Sequence, residues 1–271
     1  MLQQTPVQRV LPVYLEWMKR WPTPAALAAA TPAEIITAWG RLGYPRRALR
    51  LHECAKVIST QYKGQIPDTQ SELRELPGIG DYTSAAIIAF AFDERSLVLD
   101  INIRRLFARV IDGVEAPSAA PTKSERRERE ELIPSKNPHV WAAATMELGA
   151  LICTAKNPKC GQCPLADQCI WRSLDYPLSD QPKRTQSWHG TDRQCRGIIV
   201  QALRENSALT KREIMQLWDV PSQVEKALLT LLEDGLLVEQ KGIKTQNTGI
   251  LQNLFTDAPT DLTQKATTVV Q

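Results

Sequence analysis

The chain has 271 residues and a formal net charge of +3, with 43% hydrophobic and 23% charged side chains. This is ordinary globular usage, which excludes a disordered tail, a collagen-like chain and a disulfide miniprotein. No run of 18 apolar residues occurs, so no membrane partner is expected, and Met1-Leu2-Gln3-Gln4-Thr5-Pro6 lacks the basic-then-apolar pattern of a secretion signal, which points to the cytoplasm. The charge is uneven: residues 1–190 carry +4 and residues 191–271 carry −1, so a polyanionic partner is expected to meet the first part.

Taken in chain order, Thr5-Pro6-Val7-Gln8 reads as a capping box. It opens a helix with Val7, Val10, Leu11, Tyr14, Leu15 and Met18 on one face. Thr31-Pro32-Ala33-Glu34 repeats the device before Ile35, Ile36 and Trp39, and Arg41–Pro45 reads as a loop. Residues 46–60 are helical by the period of Ala48, Leu51, Ala55 and Ile58, and Thr69-Gln70-Ser71-Glu72 caps a short helix. Residues 123–131 carry four charges of each sign at i,i+4 spacing, the pattern of a solvated helix face. The near absence of period-2 patterning makes this region all-α.

Residues 174–191 read as a linker. Beyond it, Arg193–Arg204, Lys211–Trp218 and Ser222–Glu233 read as three helices, followed by a hairpin turning at Lys241-Gly242. This predicts a small winged-helix-like module over residues 192–255, one that packs or contacts protein rather than reading DNA, with a frayed tail at 256–271. Of six cysteines, Cys54 and Cys195 are isolated and read as small buried hydrophobes. Cys153, Cys160, Cys163 and Cys169 form C-x6-C-x2-C-x5-C, a set of thiolates able to hold an iron–sulfur cube or one zinc ion; zinc ribbons usually show two C-x2-C knuckles, and here there is one.

Leu76-Pro77-Gly78-Ile79-Gly80-Asp81-Tyr82-Thr83 lies between two helices. Gly78 and Gly80 allow a tight turn and close approach of another molecule, and the helix that follows presents free N–H groups suited to phosphate oxygens. Asp100 stands where the next helix begins, as an N-cap, and an ionised carboxylate there can also face a developing cation. This hairpin, Asp100 and the four-cysteine loop together resemble the helix-hairpin-helix DNA glycosylase superfamily of endonuclease III and the MutY-type adenine glycosylases, over about residues 1–172.

The resemblance implies a helix-hairpin-helix glycosylase domain over 1–135 and a [4Fe–4S] segment over 136–173 held by Cys153, Cys160, Cys163 and Cys169, with Lys156 and Lys159 near DNA phosphates. Tyr82 occupies the position of the endonuclease III lysine nucleophile, which implies a monofunctional enzyme. Asp100 and Tyr82 are then catalytic, with Asp100 stabilising an oxocarbenium ion. Gln4 enters the duplex, Thr5 contacts the opposite-strand purine, Tyr44 is a second wedge, and Asn102 and Glu147 line the substrate site, Glu147 accepting from the adenine amino group. The implied partner is double-stranded DNA with adenine mispaired with 8-oxoguanine or guanine, handled by a monomer, since one chain suffices for one flipped base.

In the family a general-acid Glu precedes the Met of the Met-Leu-Gln-Gln-Thr motif by two residues. The present sequence begins at that Met, so low activity and an upstream start codon are expectations of this comparison. The C-terminus resembles the compact one of actinobacterial members, not a Nudix-like domain. A G:T mismatch thymine glycosylase and a non-catalytic iron–sulfur DNA-binding protein are the competing readings; Met1–Thr5 and Glu147 speak against the first, and Asp100 against the second.

Overall fold

Capping residues set many of the helix boundaries in the computed structural model, which describes residues 1–3, 5–179, 188–206, 208–240 and 250–253. In chain order the helices are α1 (Val7–Arg20), α2 (Pro24–Ala29), α3 (Pro32–Trp39), α4 (Arg46–Gln61), α5 (Gln70–Glu75), α6 (Asp81–Ala91), α7 (Ile101–Val110), α8 (Lys123–Glu131), α9 (Pro138–Glu147), α10 (Ile170–Ser173), α11 (Asp192–Glu205), α12 (Lys211–Met215) and α13 (Pro221–Glu233). The strands are β1 (Ala208–Thr210), β2 (Leu237–Gln240) and β3 (Ile250–Asn253). Thr31 and Thr210 close full capping boxes with Glu34 and Glu213, satisfying donors that a helix start otherwise leaves unpaired.

The described residues fall into two compact units, one drawn from Met1–Ile66 with Thr185–Gln271, the other from Pro67–Arg184. In the first, α1, α3 and α4 share one hydrophobic core with α11–α13. Trp17 anchors it, edge-on to Trp21 at 5.0 Å and to Trp39 at 5.7 Å, with its indole N–H donating to the Ala38 carbonyl. Spatial grouping thus differs from chain order: the helices that open the chain pack with the module that follows the glycosylase-like segment. That module has the element order α11-β1-α12-α13-β2-β3 expected of a winged-helix-like unit, with an antiparallel sheet of order β1-β3-β2. β2 pairs with β3 from Leu237↔Asn253 to Gln240↔Ile250, and β1 pairs with β3 from Ala208↔Gln252 to Thr210↔Ile250. β1 carries no sequence signal, because three residues are too few to show alternation. The Lys241-Gly242 turn, residues 180–187 of the linker and the 256–271 tail lie outside the described residues.

Three local expectations are corrected. The Thr5 capping box does not form: Pro6 is the N-cap of α1, and the Thr5 hydroxyl turns to the Gln3 carbonyl and to Arg47. Of the α1 face marked by period only Val10 is buried, together with Trp17 and Trp21, which the period did not mark; Val7, Leu11, Tyr14, Leu15 and Met18 are exposed. Large Trp rings displace smaller side chains from the core because they bury the most apolar area. Nor is α8 a plain solvated face. Its Arg129 is buried, ion-paired with Asp112 and lying over the Phe107 ring, and its Glu125 binds Arg104 of α7.

The second unit is built around α7, buried from Ile103 to Arg109. Ile103 and Phe107 meet Ala85, Ala89, Val98 and Ala142, with Phe107 stacked on Trp141 at 5.8 Å.

A candidate active site on α7 joined to a cysteine loop

Helix α7 begins at Asp100 because the carboxylate caps it. Asp100 Oδ1 accepts the Ile103 backbone N–H at 2.7 Å, with the backbone extended at φ −86°. The second oxygen, Oδ2, accepts the Asn102 side-chain amide at 2.7 Å. Asn102 in turn accepts, through Oδ1, from Arg105 Nη2 at 3.0 Å. Arg105 is buried and spends its other donors on the cysteine segment: Nε on the Cys153 carbonyl at 2.8 Å and Nη2 on the Gly149 carbonyl at 2.5 Å. A continuous hydrogen-bonded chain therefore runs from the Asp100 carboxylate through Asn102 and Arg105 to the first cysteine. Burial and Arg109 lower the Arg105 pKa, and the Cys153 thiol and the Asp100 carboxylate oppose that shift.

One turn on, Arg109 donates to the Thr154 carbonyl at 2.8 Å, to the Glu115 carbonyl at 2.9 Å and to Cys153 Sγ at 3.4 Å, with its guanidinium 4.5 Å over Trp171. Arg105 and Arg109 stand four residues apart and so share one face of α7. That face meets the π-helical turn Leu148–Ile152, where Gly149 is packed so tightly that an added Cβ would lie 2.6 Å from the Asn102 carbonyl oxygen. Only a glycine allows this approach.

Cys153, Cys160, Cys163 and Cys169 line one cavity together with Leu106, Arg109 and Trp171. Burial raises the Cys163 thiol pKa; a backbone hydrogen bond from Leu165 opposes the shift, and Cys153, Cys169 and Cys160 add to it. Among the described residues the four cysteines gather around no single-ion position, yet they face a common space closed by an arginine cation. This donor set fits a four-iron cube, whose corners spread their thiolates apart and whose negative charge a buried guanidinium offsets.

The hairpin before α6 turns at Gly78, with φ +81°, and Gly80 caps α6 with open space around its α-carbon. Asp81 in the first turn pairs with Arg74 at 2.9 Å and Arg126 at 3.2 Å. The next residue, Tyr82, is half-exposed; burial raises its phenol pKa and the Asp100 charge raises it further. The hydrogen bond from Asn102 joins that side chain to Asp100. Glu147 is exposed at the end of α9 and does not join the hydrogen-bonded group.

In the other unit Thr5 and Tyr44 are also drawn together. Arg47 donates to Thr5 Oγ1 at 2.8 Å and lies 5.6 Å from the Tyr44 ring. The loop before Tyr44 is fixed by the Trp39 indole, which donates to the Gly43 carbonyl at 2.9 Å. Gln4 lies outside the described residues.

Sequence patterning missed Arg105 and Arg109. An arginine on an otherwise apolar helix face was the available signal: Ile103, Leu106 and Phe107 mark α7 as buried, which leaves Arg105 and Arg109 needing partners.

The fold and the cluster-type cysteine loop define an iron–sulfur DNA glycosylase of the base excision repair type. Residues 1–134 match the HhH-GPD superfamily of base excision DNA repair proteins, and residues 153–169 match the iron–sulfur binding domain of endonuclease III. The chain is 46% identical to the adenine DNA glycosylase of Mycolicibacterium smegmatis over 242 residues, 89% of this chain and 82% of that one. It is 44% identical to that of Mycobacterium tuberculosis over 88% of this chain and 79% of the relative. Among solved structures, a thermostable thymine-DNA glycosylase superposes with TM-score 0.58 at 25% identity, covering 64% of this chain and 80% of that one. A trapped endonuclease III–DNA covalent intermediate gives TM-score 0.58 at 20% identity, over 65% of this chain and 82% of that one. The chain belongs to the adenine DNA glycosylase family of the helix-hairpin-helix superfamily, and the match over residues 153–169 makes its cofactor a [4Fe–4S] cluster.

Proposed function

We propose that the protein binds double-stranded DNA and hydrolyses the N-glycosidic bond of adenine mispaired with 8-oxoguanine or guanine, acting as a monomer in the cytoplasm. The observation that carries this reading is Asp100: an oriented carboxylate at a helix start, held by two hydrogen bonds. A base inside the stack is out of reach, so the adenine is flipped out. The duplex backbone approaches the Gly78–Gly80 turn and the α6 N-terminus, where backbone N–H groups take phosphate oxygens.

As the C–N bond lengthens, positive charge grows on the sugar. The Asp100 carboxylate stabilises it, and Asn102 and Arg105 keep that carboxylate from turning away. Tyr82 supports the sugar. Glu147 accepts from the adenine amino group, and Thr5, Gln4 and Tyr44 meet the opposite strand and the gap. The cluster, when bound, supplies a rigid cross-link between the Cys153 and Cys160–Cys169 segments.

The side chain before Thr83 is a phenol and not an amine, so no Schiff base forms. The test is incubation with an adenine:8-oxoguanine duplex in two portions, one without reductant and one with borohydride. The expected product of the first is an intact strand with an alkali-labile abasic site, and the second yields no covalent adduct; a protein–DNA adduct trapped by reduction contradicts the reading.

A further inference from the structure

Tyr44 has a positive φ of +50°, an uncommon conformation for a bulky residue, and its ring is 43% exposed. Strain of this kind persists only where surrounding contacts hold it, and it concentrates at functional positions. The contacts here come from both ends of the chain. Arg47, from the first turn of α4, lies on the ring at 5.6 Å. Arg193, from the first turn of α11 in the winged-helix module, lies closer, at 4.5 Å from the ring centroid, and its Nη2 donates to the Tyr44 hydroxyl. Trp188 covers Arg193 in turn, at 5.3 Å.

The Arg193 mounting is itself braced. The Thr191 hydroxyl donates to the Trp188 carbonyl at 2.8 Å and caps α11. The Gly190 N–H donates to Gln194 at 2.9 Å. Asp234, at the end of α13, takes Arg196 of α11 at 2.6 Å and Arg46 of α4 at 3.4 Å. The module is therefore tied to the start of α4, two residues from Tyr44, by a shared carboxylate as well as by the common core.

We infer that the winged-helix module is part of the mismatch-probing surface, with Arg193 as a positioning residue that holds Tyr44 in its strained, pre-set pose through a planar stack and a hydrogen bond to its hydroxyl. This rests on the reading of Tyr44 as a DNA-contacting wedge. A module of net charge near −1 gains little from the phosphate backbone, and its contribution passes through one aromatic side chain. A guanidinium is suited to this task because it stacks flat and donates at the same time, whereas an ammonium is a point charge.

The test measures affinity of the full chain for a fluorescein-labelled duplex carrying adenine opposite 8-oxoguanine, and for the matched adenine:thymine duplex, by anisotropy. Arg193→Met is expected to weaken mismatch binding on the order of tenfold and to narrow the mismatch-to-match ratio. Arg193→Lys does not rescue it. Tyr44→Phe, which removes only the hydroxyl, loses about threefold. In a Tyr44→Ala background, Arg193→Met adds nothing, as expected of a residue acting through Tyr44. 2-Aminopurine in place of the target adenine, whose fluorescence rises on unstacking, reports the same ordering.

Full rescue by Arg193→Lys, or an undiminished loss in the Tyr44→Ala background, overturns the inference in favour of a direct phosphate contact. If Tyr44→Ala weakens mismatch binding and Arg193→Met does not, Tyr44 is a wedge that the module does not position. If Tyr44→Ala leaves mismatch binding intact, the wedge reading itself fails and the role of Arg193 fails with it.

Discussion

Asp100→Asn isolates charge from shape at the site. Asparagine is as good an N-cap as aspartate, so the Ile103 N–H keeps its acceptor and α7 keeps its start. The second contact cannot survive. Asn102 Nδ2 donates to Asp100 Oδ2 while Asn102 Oδ1 accepts from Arg105, so Asn102 has no free acceptor to offer an amide at position 100. Turning the Asn102 amide around satisfies position 100 and sets Nδ2 against the Arg105 guanidinium. One hydrogen bond is lost either way, about 1 kcal/mol in a half-buried setting. For a chain of this length that lowers Tm by roughly 2–4 °C.

The effect on chemistry is much larger. Removing a pre-oriented charge from a developing cation costs about 3–4 kcal/mol, or 10²- to 10³-fold in rate. Single-turnover excision from an adenine:8-oxoguanine duplex, with duplex affinity and Tm measured alongside, separates the two effects. The expected pattern is near-normal affinity, a small Tm loss and a drop in excision of at least 10²-fold. An Asp100→Asn variant that excises at the normal rate refutes the assignment. A Tm loss of about 10 °C would instead mean that capping, and not charge, is what Asp100 supplies.

Three further outcomes follow from the same geometry. Arg105→Met leaves the carbonyls of Cys153 and Gly149 and the Asn102 side chain without their donor; it should destabilise the protein by about 3–5 kcal/mol, lower iron content and slow excision, and normal iron with normal excision would break the link drawn from Asp100 to the cysteines. Gly149→Ala pushes a methyl group into the Asn102 backbone, with an expected cost of about 2 kcal/mol by thermal unfolding; an unchanged Tm would show that the turn relaxes freely. Glu125 is held below the usual carboxylate range, chiefly by its hydrogen bond from Arg104, so its contribution is complete above that range and is lost as pH falls through its lowered pKa. Glu125→Gln should therefore flatten the acid-side fall of Tm, and a slope identical to the parent would remove this pair from the acid response.

Capping chemistry and cysteine spacing were the most legible features. Asp100 reads as an N-cap and is one, and the single cysteine loop identifies a four-thiolate site that the structure gathers into one cavity. Both signals are local, set by neighbours within a few residues. What stayed hidden depends on partners distant in the chain. Arg105 is an ordinary basic residue in sequence and becomes the link to Cys153 and Gly149 only when α7 meets the turn 44–48 residues later. The same holds for α8, where i,i+4 pairing suggested self-contained charge pairs and the fold uses Glu125 and Arg129 for α7 and its flanking loop instead. On α1 the hydrophobic period marked a stripe of which only Val10 reached the core, whereas Trp17, outside the marked set, is buried there edge-on to Trp21 and Trp39.

Action on adenine is tested by giving the iron-loaded protein two duplexes of otherwise identical sequence, one with adenine opposite 8-oxoguanine and one with thymine opposite guanine, and measuring free base by mass spectrometry. Adenine should be released from the first and thymine retained in the second. Preferential release of thymine would contradict this reading.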